Sequence, residues 1–328
     1  MHIGNMYAAL LSWLSVRAQN GSWILRMEDL DQKRCRREYA TQLLDDLRWL
    51  GLDWDEGPSL ADGNTRDGAD NAATSYFQSE RTALYQAAYN QLCAQGLIYD
   101  CYCRRADLAA ARAPHARDGT PTYNGHCRAL TAAERVAFAQ KRKPAQRVCV
   151  SGTVPQANSD DRAHHAVRKS ASSFPAVSTF CDEHYGTQNA DLARDCGDFI
   201  VRRADGTFAY QLAVTVDDAM MGVTEVVRGR DLLLSTHQQL FLYRRLNLTP
   251  PRFCHIPLLV TKDGRRLSKR DHDCDMGVLR ACYSPEQLIG IIMHLCGCTD
   301  HAEPMTAREA VSTFRWERIP LHDITVRL

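Results

Sequence analysis

The chain has 328 residues, of which 45% are hydrophobic and 24% charged, and its net charge is +1. That length accommodates one large domain or two modest ones with a substantial core, and the balance is that of a globular, soluble protein. No apolar run approaches the roughly 18 residues of a membrane span, no basic-then-apolar leader opens the chain, and near-neutrality confines any nucleic-acid contact to a local patch. The 13 cysteines are an odd, scattered set; they exclude a fully paired disulfide framework and suit a reducing cytoplasm. Cys35, Cys93 and Cys149 fall within helical or strand-like apolar patterns, where a free thiol behaves as a small hydrophobe.

Tyr7, Leu10, Leu11 and Leu14 recur at helical spacing over residues 6–19, and Asn20-Gly21 closes that element. Residues 23–27 read as a short buried strand, followed by the acidic run Glu28-Asp29-Leu30-Asp31. Tyr39, Leu43, Leu44, Leu47 and Leu50 share one face of a second helix, with Gly51 at its end. Helix, strand, helix in close succession predicts an α/β fold with a parallel sheet. Residues 57–75 are polar and lack apolar anchors, so a surface insertion is expected there. Helix resumes over 79–95 and stops at Gly96; an irregular cysteine-bearing module spans 101–127, and a second polar insertion is expected over 152–195. Regular α/β patterning returns at Asp198 and runs through 223–234 to 256–260. Ser284 then caps a helix with Pro285 at its first position, and residues 306–314 form a second short helix.

Two short segments carry more than periodicity. His2-Ile3-Gly4-Asn5 opens the first helix, and Arg265-Arg266-Leu267-Ser268-Lys269-Arg270 sits in a loop after an apolar strand. Each alone is weak: the first could be an ordinary helix start and the second a solvated basic loop. In this order and context they resemble the two signatures of the class I aminoacyl-tRNA synthetases. Residues 26–31, 208–218 and 222–232 further resemble the glutamyl branch of that family.

The resemblance implies a Rossmann-like nucleotide-binding sheet and ATP-dependent amino-acid activation, with Mg2+ accompanying the nucleotide. It places ATP on His2, Gly4, Asn5, Ser268 and Lys269, with His2, Asn5 and Lys269 catalytic. The residue types suit that task. Glycine lets backbone approach the nucleotide, a helix N-terminus offers N–H groups to phosphate, and a mobile-loop lysine can neutralise leaving pyrophosphate. It also implies that Glu28 holds the ammonium of glutamate, that Tyr210 lines the amino-acid pocket and that Arg228 pairs with a substrate carboxylate. Without it, Glu28 would read as a helix cap, Tyr210 as core and Arg228 as a surface ion pair.

Cys101-Tyr102-Cys103 and the distant Cys127 suit a tetrahedral zinc site, which wants a fourth ligand. The residues themselves leave His126 and His115 open. The resemblance, to the branch that modifies queuosine in tRNA, implies Cys101, Cys103, Tyr123 and Cys127. It divides the chain into a first catalytic half (1–100), a zinc-containing module (101–197), a second catalytic half (198–280) and a short helical segment (281–328). Fewer than sixty residues follow Lys269, short of the helical anticodon region of glutamyl-tRNA synthetases. The resemblance thus implies a monomer that loads glutamate onto the anticodon arm of tRNA(Asp). A glutamyl-tRNA synthetase fragment and a non-catalytic RNA-binding paralogue are the alternatives. Members of the family also carry a strand and turn before the first signature, whereas Met1 immediately precedes His2 here. That first strand is expected to lie upstream of an internal methionine. In-frame genomic DNA before the Met1 codon is accordingly expected to encode an Arg-x-Ala-Pro-Ser-like segment, and a stop codon directly upstream would overturn that expectation.

Overall fold

The computed structural model describes residues 2–58, 74–104, 107, 122–123, 125–152, 177–265, 267 and 275–326. Most of the first polar stretch, His115, Ser268 and Lys269 lie outside them. In chain order the regular elements are α1 (Ile3–Ala18), α2 (Arg37–Trp49), α3 (Thr82–Ala94), β1 (Ile98–Cys101), α4 (Ala132–Lys141) and β2 (Ala145–Val148). There follow β3 (Val177–Asp182), β4 (Gly186–Asp191), β5 (Phe199–Arg202), α5 (Tyr210–Met220), β6 (Glu225–Gly229), α6 (Leu233–Arg245) and β7 (Arg252–Ile256). The chain ends with β8 (Leu259–Val260), α7 (Met276–Cys282), α8 (Pro285–Leu295), α9 (Ala307–Thr313) and β9 (Ile324–Thr325).

α1 begins earlier than its apolar spacing suggests, because His2 caps it at Ile3. Its Ile3, Met6, Leu10, Leu11 and Leu14 are almost wholly buried, in one cluster with Leu288, Ile289, Ile292 and Met293 of α8. The periodicity of that face therefore reports burial in this shared core, where α1 packs directly against α9 and β6. Ser284 caps α8 as its sequence predicts, its side chain accepting from the Gln287 N–H with Pro285 in the first turn.

The expected parallel sheet is present. β3, β7 and β6 run parallel in the order β4-β3-β7-β6, with β4 antiparallel at one edge. A parallel pair needs a crossover, and α6 supplies it between β6 and β7. A second, antiparallel sheet, β1-β2-β5, carries the cysteine module.

Two expectations need correction. Residues 23–27 form no regular strand: Ile24 and Met27 make isolated parallel bridges to Glu56 and Phe77. The polar stretch read as an insertion over 152–195 contributes β3 and β4 from residue 177 onward. Its polarity misleads because the buried face of β3 is itself hydrogen-bonded. Ser178 meets His237 at 3.0 Å, and Asp182 meets His255 at 2.5 Å. Among the thiols, Cys149 is buried while Cys35 and Cys93 are exposed, and all described cysteines are free. No helix among the described residues is long and apolar enough to cross a membrane.

A buried polar knot joins α5 to α3 and the residues just before it. Asp217, wholly buried on α5, accepts from Arg81 Nε at 2.6 Å, Gln78 Nε2 at 2.8 Å and the Tyr85 hydroxyl at 2.8 Å. Arg26 Nε lies 3.7 Å from the same carboxylate. Removing one partner of such a pair strands the other charge without solvent. Asp217→Ala is expected to cost about 3–5 kcal/mol of stability, read from the midpoint of urea unfolding. A loss below about 1 kcal/mol, the level of an exposed pair, would show that the knot contributes little.

Candidate active site

One cavity of about 680 Å³ is walled by the N-terminal turn of α1, residues 22–28, the start of α5 and the chain around β6 and β7. At its α1 wall, His2 Nδ1 accepts the Gly4 N–H at 3.1 Å and Asn5 Oδ1 accepts the His2 N–H at 3.4 Å. Since Nδ1 accepts, the proton of the neutral ring resides on Nε2. A side chain at Gly4 would come within 3.0 Å of the His2 ring, so glycine there keeps this cap intact. His2 also forms a backbone bridge with Asp275, and Leu267 lines the same cavity. Leu267 within the second signature and Asp275 beyond it thus lie against the first, while Ser268 and Lys269 themselves lie outside the described residues.

Arg228 enters from β6 and is only 8% exposed. Its Nη2 donates to Thr236 Oγ1 and Gln239 Oε1, each at 2.8 Å, and its Nε donates to His255 Nε2 at 3.1 Å. Nη1 is buried and finds no hydrogen-bond acceptor among the described residues. Arg228 is therefore no surface ion pair. A buried charged donor without an acceptor carries a desolvation cost that an anionic ligand would relieve. Tyr210 begins α5 and lines the cavity half-buried, and burial pushes its phenol above the ordinary value, keeping it a neutral hydroxyl. Glu28 is exposed on the same cavity and 3.3 Å from Arg26, outside any helix cap. Arg26 in turn pairs with Asp218 at 2.8 Å; burial pushes that carboxyl up, and Arg26 opposes the push.

The second site lies in the β1-β2-β5 module. The Sγ atoms of Cys101, Cys103 and Cys127 all lie within 4.8 Å of one another, Cys103 and Cys127 at 3.5 Å. Thiolates arranged tetrahedrally about 2.3 Å from a metal stand about 3.8 Å apart, so these three can hold one ion. Tyr123 is buried beside them, its hydroxyl oxygen accepting the Cys127 N–H at 2.7 Å, whereas His126 is exposed and stands outside the cluster. Gly197, at φ +64, lets this segment approach: a Cβ there would lie 2.8 Å from the Tyr123 carbonyl oxygen. Arg147 donates to Cys101 Sγ at 3.2 Å and lies 3.9 Å from the centre of the Tyr123 ring. The Cys127 thiol and Arg147 together lower the Cys101 thiol to about 4. A cation so placed favours anionic donors.

His2, Gly4, Asn5, Glu28, Tyr210 and Arg228 thus share one cavity, and Cys101, Cys103, Tyr123 and Cys127 share another site. Sequence reasoning missed the residues that hold these groups. Arg26 and Asp218 lay in quoted motifs without a role, Asp182 lay in a stretch read as an insertion, and Thr236, Gln239, His255 and Arg147 gave no local signal.

Against known proteins, residues 1–323 match the family described as tRNA synthetases class I (E and Q), catalytic domain. The chain belongs to that family. It is accordingly a ligase-type enzyme. A protein named glutamyl-Q tRNA(Asp) synthetase from Symbiobacterium thermophilum is 41% identical, covering 99% of this chain and 92% of its own length. A namesake from Nitratidesulfovibrio vulgaris is 38% identical over 98% of this chain and 90% of its own. Glutamate–tRNA ligase 1 of Halorhodospira halophila is 34% identical, covering all of this chain and 66% of its own. The crystal structure of glutamate-tRNA synthetase from Elizabethkingia anophelis superposes with a TM-score of 0.72 at 22% identity, over 100% of this chain and 66% of that one. The superposition establishes the fold.

Metal analysis of purified protein is expected to find about one divalent ion per chain, the capacity of a single four-ligand set. Cys103→Ser is expected to lose it and to expose the module to protease. A metal-free protein that resists proteolysis there would overturn this reading.

Proposed function

We propose that this protein activates L-glutamate with ATP and transfers it to the queuosine base in the anticodon arm of tRNA(Asp). The observation that carries the first half is the buried Arg228 Nη1, which has no acceptor among the described residues and lines the same cavity as the carboxylate of Glu28. Glutamate brings an ammonium for Glu28 and a second carboxylate for Arg228. Its other carboxylate attacks the α-phosphate of ATP, forming the mixed anhydride as pyrophosphate leaves. Positioning and electrostatics suffice for that displacement. His2 and Asn5, at the α1 N-terminus, face the nucleotide with Gly4, and Mg2+ accompanies its phosphates. Ser268 and Lys269 belong to this step by their motif, Lys269 compensating charge on the departing pyrophosphate.

For the second half, the support is that relatives matched over most of their own length bear the glutamyl-Q tRNA(Asp) synthetase name. Zinc is the ion proposed for Cys101, Cys103, Cys127 and Tyr123, where it would hold the module together rather than react. Tyr123→Phe removes only the ligating oxygen and is expected to weaken zinc retention in a chelator competition.

The protein is expected to exchange pyrophosphate into ATP with glutamate and without tRNA, and to do so poorly with glutamine. A neutral amide forfeits a charge-assisted pair of about 1.5–3 kcal/mol, roughly a 10- to 150-fold preference. Lys269→Ala is expected to lower turnover while leaving glutamate binding nearly unchanged. Equal exchange with glutamine would remove Arg228 from its proposed role. Transfer of labelled glutamate to glutamate tRNA instead of queuosine-containing tRNA(Asp) would favour an ordinary glutamyl-tRNA synthetase.

A further inference from the structure

Arg228 is held by a chain of side chains that reaches across three adjacent parallel strands. Arg228 on β6 stands opposite His255 on β7, and Asp182 on β3 pairs with Phe253 of β7. His255 is wholly buried and Asp182 is 1% exposed. Neither lines the cavity, and the glutamate-activation chemistry proposed above assigns them nothing.

The Asp182 carboxylate accepts backbone N–H groups from His184 at 3.1 Å, Tyr185 at 2.9 Å and His255 at 3.1 Å. It also meets His255 Nδ1 at 2.5 Å. A carboxylate surrounded by donors cannot itself donate, so the proton of that last bond sits on Nδ1. His255 Nε2 is then left as a lone-pair acceptor, with Arg228 Nε–H donating at 3.1 Å and the Thr236 hydroxyl beside it at 3.2 Å. Burial, aided by Arg228, pushes the imidazole below its ordinary value despite Asp182, which keeps it neutral.

The consequence falls on the guanidinium. Nε is taken by His255 and Nη2 by Thr236 and Gln239, all neutral acceptors, so Nη1 is the nitrogen left to a ligand. No carboxylate among the described residues lies within ion-pair distance of Arg228. The nearest one in this chain of contacts, Asp182, is separated from it by an imidazole ring. An acid in direct contact would compete with a substrate carboxylate for the guanidinium. Placed behind a neutral histidine, it orients the arginine and leaves the charge available. With the opposite tautomer, His255 would turn an N–H toward Arg228 and drive the guanidinium out of this setting.

We infer that Asp182 and His255 are positioning residues for substrate recognition, acting through Arg228 by fixing the tautomer that leaves Nη1 to the substrate carboxylate. The inference rests on the reading of Arg228 as the carboxylate partner. Two variants of His255 separate its two faces: His255→Gln keeps an acceptor toward Arg228, and His255→Asn keeps only a donor toward Asp182. In pyrophosphate exchange, His255→Asn is expected to raise the KM for glutamate roughly tenfold or more, the loss of one hydrogen bond to a charged group. The KM for ATP should be unchanged, and His255→Gln should restore most of the glutamate affinity. Asp182→Asn, similar in size to the native residue, is expected to raise the glutamate KM in the same selective way, and it decides the matter should His255→Asn fail to fold. Equal KM values for the Gln and Asn variants, or glutamate and ATP affinities falling together with melting temperature, would make the pair merely structural. Arg228→Ala is the control. If it raises the glutamate KM while the Asp182 and His255 variants do not, this inference fails and the reading of Arg228 stands; if it leaves that KM untouched, the reading itself fails.

Discussion

Burying a guanidinium is costly unless its N–H groups are received, and most of what surrounds Arg228 follows from that constraint. Thr236 and Gln239 come from one face of α6, His255 from β7, and the ring of Phe253 lies 5.1 Å from the guanidinium carbon. These partners fix the position of α6 over the β6–β7 pair. The nitrogen they leave over is a property of the whole arrangement, since α6 supplies two acceptors, β7 supplies one, and no described residue supplies a fourth. A site of this kind is preorganised: the cost of ordering the arginine is met in folding and does not fall on ligand binding.

The opposite wall of the cavity is built on different terms. Arg26 is tied to Asp218 and approaches Asp217, and Asp217 is bound to Arg81, Gln78 and Tyr85. Here the arginines face carboxylates of the protein itself. Glu28, at the exposed end of that series, keeps one oxygen 3.3 Å from Arg26. The two walls meet at α5, whose first residue, Tyr210, lines the cavity and whose Asp217 and Asp218 anchor the knot. A rotation of α5 would disturb both walls together. The fold therefore couples the stability of its buried acids to the shape of the cavity.

The cysteine module shows the same economy on a smaller scale. Its buried cluster has few aliphatic side chains and consists mainly of Tyr99, Cys101, Tyr102, Tyr123, Cys127, Leu130 and Cys149. A bound ion would hold what so small an apolar core cannot. Arg147 supplies the compensating charge, reaching a thiol and an aromatic ring at once.

Local pattern in the sequence is enough to find α1, α2, α3, α8 and α9, the cap of α8 and the two signature segments, but not α4 to α7. Each depends on residues within a few positions of one another: the apolar face of α1, the Ser284-Pro285 start of α8, the glycine beside His2. The family follows from the same local segments. What only the tertiary structure decided depends on partners far apart in the chain. Asp182 sits in a stretch whose composition reads as a solvated insertion, and it becomes a buried strand residue only because His255, 73 positions away, receives it. Residues 23–27 have the apolar content of a strand, yet a ladder forms only where a neighbour offers matching groups, and Glu56 and Phe77 offer isolated bridges. The missed residues share that cause. A buried polar side chain takes its role from the group that satisfies it, and that group is chosen by packing and not by sequence neighbours.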